Sequence, residues 1–347
     1  MGAVVDVQVL TPREVPLGGP RAMTVRRTLP ARERSFVGAW CFVDHYGPDD
    51  VAATGGMDVA PHPHCGLATV SWLFSGEVEH RDSLGTVATV RPGEVNLMTA
   101  GRGISHSEVS TSGTSVLHGA QLWVVLPTAL AGIDPRFEHH EPPVVEVTDG
   151  ARAQVFVGSL WGSTSPVRVE TSLLGVEVVL AAGASVAVPV PEAYEVGVLV
   201  DTGSVTFAGQ VLAPGELGVL DPAPPGTSHV AGQLPGEVGG SGSARAGGPV
   251  LSAGPEGARV LVLAGEPYGE EVVMWWNFVG ASHDDVAAAR EAWESGAGSG
   301  PGRFGAVEGY DGEVSRIPAP ALPGVPLRPR GNRGTHQPPA AEAPAMS

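Results

Sequence analysis

The sequence predicts an all-β protein of two antiparallel barrels or sandwiches, closed by one short helix. Three observations carry that expectation. Short β-branched and aromatic runs recur roughly every eight to twelve residues with turn residues between them. The 49 glycines and 32 prolines are scattered through apolar segments, where they punctuate strands rather than support helices. The pattern of the first half also returns in the second.

Taken in order, residues 1–35 alternate weakly at Val5, Val7 and Val9, then carry the Arg-rich segment 26–34, which reads as an opening strand and a connecting loop. Residues 36–43 form an apolar strand that should end at Asp44-His45-Tyr46-Gly47-Pro48, with Asp44 bonding a turn. Strands follow at 69–74, 78–81, 86–90 and 95–98, separated by Ser75-Gly76-Glu77, Asp82-Ser83-Leu84-Gly85 and Arg91-Pro92-Gly93-Glu94. A long strand, 117–126, carries Gln121 and Trp123 on one face. The connection 127–170 contains His139 and His140, which reads as a surface loop. Adjacent residues of an extended chain point to opposite sides, so these two do not make a second metal site.

The repeat begins after residue 171. Gly76-Glu77-Val78 and the later Arg91-Pro92-Gly93-Glu94-Val95 return as Gly203-Ser204-Val205 and Ala213-Pro214-Gly215-Glu216-Leu217. Where the first copy has His62-Pro63-His64, the second has Pro189-Val190-Pro191, and His229 is its one histidine. The second half reads as the same barrel without a metal site. Residues 235–249 are too poor in apolar side chains to form core and read as a flexible excursion. A helix is expected over 282–295, capped by Ser282 and Asp285, with Val286, Ala289 and Trp293 on its buried face and Gly296 beyond it. The expected division is a metal-binding barrel at 1–135, a second barrel at 136–330 that includes the excursion and the helix, and a disordered Pro- and Ala-rich tail at 331–347.

Charge narrows the function classes. The chain of 347 residues has 37 acidic against 20 basic side chains, a net charge of -17, and every basic residue is arginine. That balance lacks the basic stripe of a nucleic-acid binder. The missing lysine excludes a Schiff-base or P-loop lysine. Cys41 and Cys65 are too few for a disulfide framework. With no signal-like N-terminus and no long apolar run, the expectation is a cytoplasmic, non-membrane protein, read as a monomer.

The chemistry concentrates between residues 61 and 108. Pro61-His62-Pro63-His64-Cys65-Gly66 opens that stretch, and Gly101-Arg102-Gly103-Ile104-Ser105-His106-Ser107-Glu108 closes it. On strands, residues i and i+2 share a face about 7 Å apart. His62/His64 and His106/Glu108 can therefore offer three imidazoles and a carboxylate to one divalent transition ion. Such a set suits Fe, Mn, Ni, Cu or Zn and excludes all-thiolate and all-oxygen centres. Cys65, next to a ligand, should turn to the opposite face. His80, Gln121 and Trp123 are candidates for the surrounding shell or pocket wall. No Gly-x-Ser-x-Gly elbow supports serine hydrolase chemistry.

Pro61-His-Pro-His-Cys-Gly-Leu-Ala-Thr-Val, Met98-Thr-Ala-Gly-Arg-Gly-Ile-Ser-His-Ser-Glu-Val, Gln121-Leu-Trp-Val, Leu263-Ala-Gly-Glu-Pro and Val273-Met-Trp-Trp-Asn-Phe-Val resemble the pirin family of bicupin proteins, over about residues 5 to 330. The resemblance implies two face-to-face cupin barrels, with a metal, usually iron, held in the first by His62, His64, His106 and Glu108. In general cupins the carboxylate follows the His-x-His within a few residues; here that place is Ala68/Thr69, and Glu108 supplies it, as in pirins. Some members resemble quercetin 2,3-dioxygenases, which implies a small aromatic substrate, dioxygen, Fe(II), and Glu108 as both ligand and catalytic base. Other members are similar to redox-sensing regulators that bind a transcription factor or a metabolic enzyme. The excursion at 235–249 and the long tail depart from the family pattern.

Overall fold

The computed structural model describes residues 6–17, 23–222, 247–296 and 302–332. Two β-units of the cupin type stand face to face. In the first, a four-stranded sheet runs Asp58–His64, Ile104–Ser110, Val78–Asp82, Val87–Val90. It closes over a seven-stranded sheet ordered Arg136–His140, Val95–Thr99, Leu67–Ser75, Val116–Val125, Trp40–Asp50, Thr24–Leu29, Arg13–Pro16. The second unit is built on a nine-stranded sheet whose centre is Glu195–Phe207 paired with Val250–Gly265. Among the described residues all the strand pairings are antiparallel, apart from two isolated parallel bridges, but many join strands far apart in the chain, such as Asp58–His64 with Ile104–Ser110 and Leu67–Ser75 with Val116–Val125.

The central strands of the second unit are apolar on both faces, and the two faces do different things. Val198, Val200, Val260 and Val262 fill that barrel's own interior. Their neighbours Leu199, Leu261 and Leu263 point the other way, into a core shared with Trp40, Trp72 and Leu122 of the first unit. A sheet buried on both sides loses the alternation that a one-sided sheet shows. Phe156 stacks on Trp72 at 4.7 Å in this shared layer. The Trp40 and Trp72 indole N–H groups donate across it, to the Leu174 carbonyl at 3.1 Å and to Glu177 at 2.6 Å.

The repeat is structural. Gly93 and Gly215 both take positive φ, 77° and 84°, at matching turns. A side chain is strained in that conformation, which is why the same residue returns in both copies. The second interior is apolar where the first holds histidines, and among the described residues no metal-capable group lies within the second barrel alone. His229 and most of 235–249 fall outside the described residues.

Several elements differ from expectation for one physical reason: polar side chains on strands are satisfied by distant partners. The strand Trp40–Asp50 runs straight through the expected turn at Asp44–Pro48. Asp44 is bound by both Arg27 nitrogens, at 2.6 and 2.7 Å, and Arg27 belongs to Thr24–Leu29, a strand where a loop was expected. Arg136–His140 is likewise a strand rather than a surface loop, pairing with Val95–Thr99, and His139 meets Asn96 at 3.0 Å. The ends of the chain also cross between units. Gln8–Leu10 pairs with Leu217–Leu220 of the second sheet.

The helix His283–Gly296 is capped as expected. The Ser282 hydroxyl accepts from the Asp285 N–H while the Asp285 carboxylate accepts from the Ser282 N–H. Its buried face, Val286, Ala289 and Trp293, covers Cys65, Phe278 and Phe304 at one end of the first barrel. The segment 302–332 then returns across that barrel. The Ile317 N–H donates to the Pro61 carbonyl, and Val272 and Arg330 exchange backbone hydrogen bonds. Asn332, inside the tail expected to be disordered, accepts from the Ser35 and Phe36 N–H groups and donates to Glu195 at 3.0 Å.

Candidate metal centre

The site is assembled by one strand, Ile104–Ser110, lying between two others. On one side it opposes Asp58–His64, with His106 directly across from His62 and Ile104 across from His64. On the other side it opposes Val78–Asp82, with Glu108 across from His80 and His106 across from Asp82. A register shift between His106 and Glu108 bends the strand there. Side chains two apart on one face therefore converge from both strands. The ring centres of His62, His64 and His106 stand 4.4 to 5.0 Å apart, and their nearest nitrogens lie within 4.8 Å of one another.

These three imidazoles fit a metal ion in ways that a packed core would not. His64 Nδ1 and His106 Nε2 are buried without a hydrogen-bond partner, a costly arrangement that a coordinated ion would relieve. His62 Nδ1 lies 2.9 Å from the Ala60 carbonyl and donates to it, which leaves Nε2 as the nitrogen with a lone pair to give. Burial favours the neutral, ligating form: it pushes His62 down to about 4 and His64 and His106 well below the usual imidazole value.

Glu108 is placed differently from the simple four-ligand expectation. It groups tightly with His80 and His106, and it lines the same cavity as His62 and His64. Burial raises its carboxyl pKa, with His80 and the Ser71 hydroxyl opposing. His80 extends the site outward: its Nδ1 lies 3.3 Å from His106 Nδ1 and its Nε2 lies 3.2 Å from Asp82 Oδ2. Asp82 is held below the usual carboxylate range, because the hydrogen bond and charge of His80, with the Thr86 N–H, outweigh its burial. Cys65 faces away, into the cluster under the helix, and burial pushes its thiol up to about 11, so it offers no thiolate.

A cavity of about 400 Å³ opens over the imidazoles. Gln121 and Trp123 both line it, with Gln121 accepting from Ser71 Oγ at 2.9 Å. Trp123 meets His64 edge-on at 5.1 Å and stacks on Phe42 at 4.0 Å, and the Arg27 guanidinium covers Phe42 from behind at 4.1 Å. The opposite wall comes from far along the chain: Met274, Trp275, Trp276 and Asn277 of a hairpin, then Ile317 and Arg330. That hairpin is docked on the ligand strand, since the Val279 N–H donates to the Cys65 carbonyl, and a Cβ at Gly66 would collide with the Val279 carbonyl oxygen. Sequence reading missed Ser71, Phe42 and the whole distal wall. Its one available signal was the tandem Trp275-Trp276. A larger depression at the junction of the units, near Tyr268, is lined by Glu170, Glu266 and Glu270 and holds none of the metal-capable groups.

A second buried cluster joins the two units. Asp201 of the second sheet accepts from His45 Nε2 at 2.7 Å, from His118 Nε2 at 2.6 Å and from Arg259 at 2.6 Å. Burial alone would raise the Asp201 pKa, but these donors outweigh it and hold the carboxyl well below its usual range. Arg26 faces His45 Nδ1 at 3.2 Å, so Nε2 carries the proton.

The acid response follows from the histidines. Unfolded imidazoles titrate near 6.5, whereas His45, His62, His64 and His106 titrate lower when folded because burial disfavours their charged form, so below about 6.5 these four bind more protons in the unfolded chain. The stability of the metal-free protein should therefore be complete above that pH and fall steadily toward 4, by roughly 3 kcal/mol at pH 4 from His62 alone. Denaturant midpoints at pH 7.5, 6 and 5 check this; equal midpoints would contradict it.

A two-barrel cupin fold whose histidine-lined cavity lies in the first barrel defines the class: a bicupin with a candidate metal centre in that barrel, the His45, His118 and Asp201 cluster being a second metal-capable group among the described residues. The pirin family profile matches residues 22–124, and the pirin C-terminal cupin domain profile matches 242–299. A Pseudomonas aeruginosa protein named "putative quercetin 2,3-dioxygenase" is 38% identical over 317 residues, 91% of each chain. A pirin-like protein of Caulobacter vibrioides is 36% identical over 283 residues, 78% of this chain and 88% of that one. The crystal structure of a quercetin 2,3-dioxygenase from Acinetobacter baumannii superposes with a TM-score of 0.79 at 36% identity, covering 93% of this chain and 97% of that one. The protein belongs to the pirin family.

Proposed function

We propose that this protein is a metal-dependent dioxygenase acting on a flavonol-type aromatic substrate, with His62, His64, His106 and Glu108 as metal ligands. The observation that carries this reading is the cavity: buried neutral imidazoles, an elevated carboxyl and a flat aromatic wall face the same enclosed space. The names of the 36–38% identical relatives support it. Among the described residues no helix is long and apolar enough to cross a membrane.

Bound by those side chains, a divalent transition ion, iron(II) in this reading, would supply Lewis acidity toward vicinal substrate oxygens and the redox capacity that dioxygen chemistry needs. The remaining work falls to the protein. Trp123, backed by Phe42, gives a flat ring a stacking face, and Trp275 and Trp276 close over the other side to exclude water. Glu108, in part a ligand, takes the proton of the flavonol 3-hydroxyl; a carboxyl raised by burial is better matched to that task than an exposed one. Ser71 Oγ, 3.4 Å from Glu108 Oε1 and 2.9 Å from Gln121 Oε1, fixes the carboxylate's orientation. His80 steadies His106 from behind and is itself held by Asp82.

The deciding experiment is dioxygen uptake by the iron-loaded protein with quercetin, with His62→Ala as control. Uptake with matching loss of flavonol absorbance, absent in the control, is expected. Iron bound at one per chain with no uptake would reject the flavonol reading.

A further inference from the structure

The protein is strongly acidic, yet the described wall of its cavity contains two arginines and a single carboxylate, Glu108. The arginines are not equivalent. Arg27 already has its counter-ion: its Nε and Nη2 hold the two oxygens of Asp44, and its face lies on Phe42. It serves as a prop for the aromatic wall. Arg330 is held only by its backbone, through reciprocal bonds with Val272 at 2.9 and 3.1 Å. Its side chain is half-buried, and among the described residues no carboxylate forms an ion pair with it, while Arg13 nearby is of like sign. A guanidinium held partly out of water without a counter-ion is a poor arrangement unless something supplies the anion.

The segment carrying Arg330 is fixed in place. Two residues on, Asn332 hydrogen-bonds to Ser35, to both polar backbone groups of Phe36 and to Glu195, among others. The guanidinium is therefore presented by an anchored backbone to the same cavity that His62, His64 and Glu108 line from the other side. A low-dielectric wall and one unmatched positive charge focus the field at the cavity mouth and favour an anionic visitor over the general repulsion of the surface.

We propose that Arg330 is a specificity-determining residue that pairs with a carboxylate on the substrate, so that the preferred ligand is an aromatic ring with vicinal hydroxyls at one end and a carboxylate at the other. This rests on the dioxygenase reading for the site's chemistry but concerns recognition alone. Arginine suits the task because its planar fork takes both oxygens of a carboxylate. The hydroxyl end would face the imidazoles, and the ring would lie along Trp123. A neutral flavonol would then use the stacking wall and the centre while leaving Arg330 unpaired.

The test compares 3,4-dihydroxybenzoate with 4-methylcatechol, which differ at the carboxylate. Titration calorimetry is run on the zinc-loaded and the metal-free full-length protein. The wild-type protein should bind the carboxylate compound at least ~10-fold more tightly in both forms. Arg330→Gln should remove that preference while leaving 4-methylcatechol affinity and metal content unchanged, and Arg330→Lys should restore part of it. Rising salt should shrink the preference in the wild type only. Equal affinities in the wild type, or an undiminished preference in Arg330→Gln, would overturn the proposal. Dioxygen uptake by the iron-loaded protein, measured alongside, separates the two readings. An Arg330-dependent preference without uptake ends the dioxygenase assignment and keeps this one, whereas uptake without the preference does the reverse.

Discussion

Replacing His106 by Ala should lower metal affinity by more than ~100-fold while leaving the β-sheet spectrum intact. His106 is the residue shared by both ligand groups around the cavity, the one with His62 and His64 and the one with His80 and Glu108. It sits on the central strand of three, directly across from His62, and its Nε2 has no other partner. Removing it leaves two imidazoles and a carboxylate that no longer share a common neighbour. His80→Ala should be milder, about 10- to 100-fold, the range for groups that orient a ligand from behind. Metal per chain, measured by mass spectrometry after dialysis, distinguishes the two. If His62→Ala, His64→Ala and His106→Ala each keep one metal per chain, the centre lies elsewhere.

The second large effect is expected at Asp201, about 3–5 kcal/mol of lost stability in Asp201→Ala. The substitution would strand Arg259 and two buried imidazoles that all donate to this one carboxylate. Three donors from two units depend on it, so the loss should fall on the junction between the barrels. Equilibrium denaturation should show the drop, and at lower denaturant the two barrels should separate into distinct transitions. A change below about 1 kcal/mol would mean that the histidines are satisfied without Asp201. Because the metal ligands lie in the other cluster, metal content at low denaturant should be unchanged.

Much of this organisation is legible in the sequence where the signal is local. The His62/His64 and His106/Glu108 spacings read directly as strand faces, and the structure places those strands side by side. Ser282 and Asp285 cap a helix whose buried face is the one the spacing of Val286, Ala289 and Trp293 predicts. What fails is whatever depends on a distant partner. Asp44 and His45 look like turn residues until Arg27 and Asp201 are seen to satisfy them, 17 and 156 residues away in the chain. His139 reads as a loop because nothing local shows that its strand pairs with Asn96, 43 residues earlier on a strand of the first half. The cavity's far wall is the extreme case. Nothing in the local pattern around Ile317 or Arg330 connects them to histidines more than two hundred residues earlier.

That far wall also sets an order of events during synthesis. The ligand strands and the first barrel's sheets are complete once residue 140 has emerged, so an ion could be captured while the second barrel is still being translated. The space above it has no second wall until the tandem tryptophans arrive, and no pinned arginine until Asn332 clamps onto Phe36. A nascent chain therefore passes through a stage in which the candidate centre is open to solvent, and its cavity is walled on both sides only once residues 274–277, 317 and 330 have been added. A ribosome stalled before residue 317 would hold the candidate ligand strands without the cavity's complete far wall.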